Sequence, residues 1–165
     1  MAQKGFKLKG IDKFMKNFNK EVQGIQNRTH AGLINAVIEL WRAAEPGTPI
    51  DTSNLSHSFF TVSYKSPGNK IPQAEAGGFK GPDVSEMQSD HSRVKQATHA
   101  AAKRLGSDTK PVLIFGYSAN YSVWVHEAPK GVTFTRPNAH RRWLYKAMQK
   151  SRAAMLEEIR KEASL

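Results

Sequence analysis

The sequence contains no cysteine. That removes a disulfide framework, a thiolate zinc site and a cysteine nucleophile, and it suits a chain made in a reducing cytoplasm. No apolar run approaches the ~20 residues of a membrane-spanning helix, so no membrane partner is expected. The opening stretch MAQKGFKLKGIDKF is charged with no apolar block behind it, and it is not read as a secretory signal. Catalytic signatures are missing as well. No GxSxG surrounds Ser53 or Ser58, and neither a phosphate-binding GxxxxGKS/T, a GxGxxG nor a helical HExxH occurs. Helix-turn-helix spacing, zinc-finger spacing and RNP sequences are likewise absent, as are internal repeats and low-complexity tracts.

Acidic residues are scarce: 14 against 25 Lys and Arg, for a formal charge of +11. The excess lies at the ends. Residues 1–30 hold seven Lys/Arg against Asp12 and Glu21, a net of +5, and residues 136–165 hold eight against Glu157, Glu158 and Glu162, again +5. The middle is near neutral. Such a chain is drawn to nucleic acid or to an acidic protein surface, and charge alone does not choose between them.

What is present is a pattern of helices around a small amount of sheet, in a chain of 165 residues that suits one domain. Ile11, Phe14, Phe18, Val22 and Ile25 recur at three or four residues, and Leu33, Val37 and Trp41 resume the stripe, which predicts a helix over 11–45. Glu45-Pro46-Gly47-Thr48-Pro49 ends it. Such a helix is roughly 50 Å long, more than a compact domain of this size covers, so one end is expected to project or to pack on a neighbouring subunit. Asp51, Thr52 or Ser53 suits the cap of a short helical turn. Phe60, Val62 and Tyr64 alternate with polar residues as in a strand. Residues 66–110 read as an insertion, a Pro- and Gly-rich loop followed by a helix over 85–105 with Met87, Val94, Ala97, Ala101 and Leu105 near one face. Val112–Glu127 (VLIFGYSANYSVWVHE) reads as a hairpin turning at Gly116–Asn120. Tyr121, Val123 and Val125 then face the core, and Trp124, His126 and Glu127 face a partner. Pro137 opens a helix over 138–163 lined by Trp143, Leu144, Ala147, Met148, Met155, Leu156 and Ile159. The expected class is α+β, an antiparallel sheet of about 3–4 strands packed against long N- and C-terminal helices.

Six histidines invite a search for chemistry. His126, Glu127 and His140 form at best a metal trio without the spacing such sites use, and Asp51 is read as a helix cap rather than a catalytic carboxylate. No catalytic residue, cofactor or metal is therefore assigned. Lys13, Lys16 and Lys20 fall opposite the first apolar stripe. Arg141-Arg142 beside Trp143 is a denser basic cluster, suited to an acidic partner or to nonspecific contact with DNA.

Three separated pieces carry a resemblance. Pro49-x-Asp51-Thr52-Ser53-x-Leu55-x-x-Ser58 after a long helix resembles a P-x-D-T-G-x-L-x-x-S signature, with Ser53 standing where that signature has glycine. Tyr121-Ser122-x-x-Val125-His126-Glu127 resembles a Y-A-x-x-V-E/H-E/F-G segment, with Ala128-Pro129 where glycine often follows. Arg136-Pro137 followed by Leu144-x-x-Ala147-Met148 resembles a closing A-R-P-F-L-x-P-A-L before a long helix, loosened by Asn138-Ala139-His140. In this order and spacing they are similar to the gene-ten-like tail-completion or neck proteins of tailed bacteriophages, which are related to the minor tail proteins of lambda-like phages. The resemblance implies a non-enzymatic virion protein of the head–tail junction, commonly in sixfold rings. Its implied partners are copies of itself, a head-connector or adaptor ring, a tail-tube or tail-terminator protein, and genomic DNA passing through the lumen. Trp124, His126, Glu127, Asp51, Arg141, Arg142, Lys13, Lys16 and Lys20 are then candidates for assembly contacts. A nonspecific DNA-binding protein using the basic ends is the first rival. A small metal-dependent hydrolase on His126, Glu127 and His140 is the second.

Overall fold

A computed structural model describes residues 11–50, 53–68 and 78–164, with the backbone alone at 11–15, 18, 19 and 22. The chain is α+β. Helix α1 runs Ile11–Ala44 and ends in a 3-10 turn at Glu45–Gly47; α2 (Asn54–His57), strand β1 (Phe59–Ser63), α3 (Val84–Leu105), β2 (Leu113–Tyr117), α4 (Ser122–His126) and α5 (Trp143–Ala163) follow. Among the described residues no helix is long and apolar enough to cross a membrane.

The sheet has two strands among the described residues, where three or four were expected. β1 and β2 pair antiparallel, with Phe59 opposite Tyr117, Thr61 opposite Phe115 and Ser63 opposite Leu113. Both faces are covered, so every residue of β1 is buried. Phe59 packs with Val37 and Trp41 of α1, beside Leu113, Phe115 and Tyr117 of β2. On the reverse face Phe60 and Val62 pack with Ala102 and Val94 of α3 and with Ile114. The segment read as an insertion thus supplies a layer of the domain. Its buried line runs through Val94 and Ala102, whereas Leu105 and Ala97, expected on that line, are exposed.

α1 and α5 lie side by side and antiparallel. Leu40 and Ala44 meet Trp143 and Ala147 at one end. Toward the other end Gly32 backs onto Ile159, where a Cβ would stand 3.0 Å from that residue's Cα. The Asn35 amide donates to the Glu162 carboxylate there at 3.2 Å. Because α5 stops at Ala163, the part of α1 from Ile11 to about Arg28, roughly 27 Å of helix, runs past its partner. Lys16, Lys20 and Ile25 on this stretch are exposed. The side chains of Ile11, Phe14, Phe18 and Val22, and that of Lys13, lie outside the described residues.

Two further sequence expectations are overturned. The hairpin over 112–127 does not form: β2 takes β1 as its partner, and 122–126 is a helix. Alternation over Tyr121, Val123 and Val125 is too short to separate the two periods, since Tyr121 and Val125 are also i and i+4 on a helix. The helical solution wins because Tyr121 and Val125 both pack against the Leu40–Trp143 cluster, and the Val125 and Glu127 amides donate to the Tyr121 and Val123 carbonyls at 3.1 and 2.9 Å. The second concerns α5, which starts at Trp143 rather than 138. Residues 138–142 cannot continue it backwards. The His140 amide donates to the Gly47 carbonyl at 3.1 Å, the Arg142 amide to the His126 carbonyl at 2.8 Å, and Arg142 sits at φ 56°, in the left-handed region.

Candidate assembly surface

The three pieces that carry the resemblance converge at the C-terminal end of α1. The turn after α1 is latched from the third piece. Arg136 Nη1 and Nη2 donate to the Glu45 carboxylate at 2.9 and 3.1 Å, and Nη1 also to the Glu45 carbonyl at 2.7 Å. This two-pronged geometry fits the planar guanidinium. Thr48, almost fully buried, donates its hydroxyl to the Ala44 carbonyl at 3.0 Å. The Tyr117 hydroxyl lies 3.4 Å from the Thr48 Oγ1 and accepts from the Trp143 indole N–H at 3.3 Å. Burial pushes the Tyr117 phenol above its ordinary range.

The first piece is fastened by its polar side chains. Asn54, buried, clamps residue 80 from both sides: its amide donates to the Lys80 carbonyl and its oxygen accepts from the Lys80 amide, each at 2.8 Å. The Ser58 hydroxyl closes α2 onto the Leu55 carbonyl at 2.8 Å, and the Ser58 carbonyl accepts from the Ser118 amide at 2.9 Å. Ser53 sits at φ 69° and makes no capping hydrogen bond. The glycine of the similar signature suits this left-handed conformation better. Asp51, expected as cap or contact, lies outside the described residues, as does Thr52.

The second piece is α4, which is tied down on one side and bare on the other. Tyr121 and Val125 pack inward. The His126 ring stands edge-on to Trp143, with centroids 4.8 Å apart, and its Nδ1 meets the Glu127 carboxylate at 2.8 Å. Glu127 also accepts from Arg142 Nε at 2.8 Å. That guanidinium first, and the His126 bond after it, hold the Glu127 carboxyl below the usual carboxylate range. With its base fixed, α4 presents Val123, 67% exposed, and Trp124, 81% exposed, to solvent. Val123 was expected inside and His126 outside. Each is reversed by the 100° step of a helix.

Of the remaining candidates, Arg142 is exposed and committed to Glu127, Arg141 is half-buried, and Lys16 and Lys20 are exposed on the overhanging part of α1. Sequence reasoning assigned no role to Asn54 or Tyr117, read Gly47 and Thr48 only as the end of the first helix, and read Arg136 only as part of the third piece. Arg136 beside Pro137 was the available signal. It also missed a second exposed apolar line, Tyr145, Met148 and Leu156 on the outer side of α5. Among the described residues no three His, Cys, Asp or Glu side chains are grouped as metal ligands. His140 is turned to the Gly47 carbonyl, with Nδ1 at 3.4 Å, and His126 to Trp143. No protein-family model, curated protein or solved structure matches the chain.

Proposed function

We propose that this chain is a structural subunit of the head–tail junction of a tailed bacteriophage, of the tail-completion or neck type. It assembles with itself into a ring, six copies by the resemblance. The ring joins a head-connector or adaptor ring to the tail-tube or tail-terminator protein, and genomic DNA passes through its lumen. The observation that carries the reading is the pair of exposed apolar surfaces on different elements: Val123 and Trp124 on α4, and Tyr145, Met148 and Leu156 on α5. A closed ring needs two unlike surfaces that meet head to tail, and exposed large apolar side chains of this kind mark interaction sites. Two further features support it. The first and third similar segments pack under α4 through Leu55, Trp143 and Ala147, and α1 runs past the end of α5, leaving a lever with exposed Lys16 and Lys20 for an acidic neighbour.

The test is the mass of the purified chain in solution with negative-stain imaging, alone and with connector and tail-tube rings. Closed rings, or stoichiometric capture by a partner ring, are expected. A chain that stays monomeric with every partner and binds duplex DNA with a steep salt dependence supports the nonspecific DNA-binding reading instead. A hydrolytic activity lost in His126→Ala with assembly intact replaces both.

A further inference from the structure

A groove runs between the turn after α1, the start of α3 and α4. Its wider part is a hollow of about 670 Å³ with Ile50, Leu55, Val125 and Phe134 among its walls. Met87 and Tyr121 continue it into a second hollow of about 250 Å³. Along one rim the beginning of α3 sets Asp83, Glu86 and Asp90 at steps of three and four residues, against Lys80 on the described lining. Asp90 is shared with Arg93 at 2.9 Å. In a chain of net charge +11, this is a local acidic excess beside an apolar floor.

Such a groove fits a short extended segment that mixes apolar and basic side chains. Residues 1–10, MAQKGFKLKG, have that composition. In an extended chain Phe6 and Leu8 share one side while Lys7 and Lys9 share the other, about 6.6 Å apart. One helical turn between the carboxylates is about 5 Å, and lysine stems are long enough to lie along an apolar wall with their ammonium groups at its rim.

We infer that residues 1–10 of one copy occupy this groove on a neighbouring copy. Exchange between copies follows from length. Tyr121 and Val125 pack with Leu40 and Ala44, so the groove lies by the C-terminal end of α1. Ile11 to Leu40 is about 44 Å of helix at 1.5 Å per residue, whereas ten extended residues reach at most about 36 Å. The segment therefore reaches another subunit's groove and not its own. The contact is heterologous, one end of a copy into the middle of the next, as a ring requires. The inference rests on the self-assembly proposed above and names one of its contacts.

The experiment uses full-length chains and a labelled peptide of residues 1–10. Lys4→Glu, Lys7→Glu and Lys9→Glu in the chain remove competition from its own N-terminus. Saturable peptide binding is expected, weakened at least about tenfold by Asp83→Asn, Glu86→Gln and Asp90→Asn together, weakened by salt as an exposed charge contact is, and unchanged by Glu157→Gln with Glu158→Gln. No binding, as when another part of the chain fills the groove, overturns the inference, and so does equal binding by both sets of variants. A second measurement uses the absence of native cysteine. Phe6→Cys with Met87→Cys in one chain is expected to oxidise to an interchain ladder on a non-reducing gel, and only intrachain linkage, or none, overturns the inference. Failure here is separable from failure of the ring reading: rings that form as readily with the three Lys→Glu changes as without them refute the exchange and leave the ring intact.

Discussion

Gly47→Ala is the sharpest perturbation of the base on which α4 and α5 stand. Gly47 is buried in the 3-10 turn after α1, and its backbone is not in the left-handed region, so alanine meets no backbone strain there. The obstacle is steric. A Cβ at this position stands 2.4 Å from His140 Cε1 and 2.8 Å from Nδ1, with Trp143 Cβ next at 3.4 Å. Carbon atoms rest at about 3.5–4.0 Å, so the imidazole must retreat by more than an ångström. Its backbone cannot follow freely, because the His140 amide is held to the Gly47 carbonyl at 3.1 Å. Overpacking of this kind costs about 1–3 kcal/mol, and alanine returns about 0.4–1 kcal/mol by restricting the unfolded chain. The net loss is about 1–2 kcal/mol, or about 3–6 °C in Tm for a chain of this length. The assay is thermal unfolding followed by circular dichroism, at a dilution where mass shows a monomer, on the four members of a double-mutant cycle with His140→Ala. In the His140→Ala background the nearest remaining atom is Trp143 Cβ, and Gly47→Ala becomes neutral or mildly stabilising. A coupling of at least about 1 kcal/mol is expected. Equal losses in both backgrounds, or no loss in the wild type, refute the reasoning.

Other outcomes follow from the same structure. Trp124→Ala leaves monomer stability within about 0.5 kcal/mol in a denaturant titration, as for exposed positions, but weakens self-association at least about tenfold in sedimentation equilibrium, as loss of an interface anchor does; unchanged association refutes the role. Trp41 and Trp143 are buried, so acrylamide quenching of the monomer reports mainly Trp124 and falls on assembly. Ser53→Gly relieves the left-handed conformation at φ 69° and stabilises by about 0.5–1 kcal/mol in denaturant titrations, the steric relief exceeding the entropy that glycine loses on folding. Tyr117 holds its proton in the folded chain above its ordinary pKa. Its contribution is therefore full below about pH 10, the unfolded value, and is lost as pH rises beyond it, because the unfolded phenol ionises first. Melting between about pH 9 and 12 is expected to fall less steeply in Tyr117→Phe, and an ultraviolet titration of the folded chain is expected to lose its highest-pH phenol transition in the same variant.

Where sequence reading and structure part company, the cause is tertiary. Tyr121–Val125 satisfied a strand period and a helix period equally, and the neighbours decided: β1 pairs with β2, and α4 buries Tyr121 and Val125 against Trp143. The helical pattern puts the start of α5 at 138, just after Pro137, yet the backbone donors of residues 140 and 142 go to Gly47 and His126, outside any helix they could belong to. Trp124 was legible as an outward residue under either period. His126 and Val123 exchanged sides, because the helix turns by 100° where the strand turns by 180°.

The three long helices follow from local pattern alone. α1 begins at Ile11 and stops at the Glu45-Pro46-Gly47 turn, α3 covers the polar stretch that ends at Leu105, and the closing helix carries Trp143 and Ala147 inward, because helical periods and proline stops act within one or two turns. Tertiary structure alone decided that α3 closes the second face of the sheet, that Arg136 grips Glu45 across ninety-one positions, and that α4 stands with Trp124 bare. Those outcomes depend on which surfaces compete for the same apolar partner, and that competition exists only once the segments are brought together.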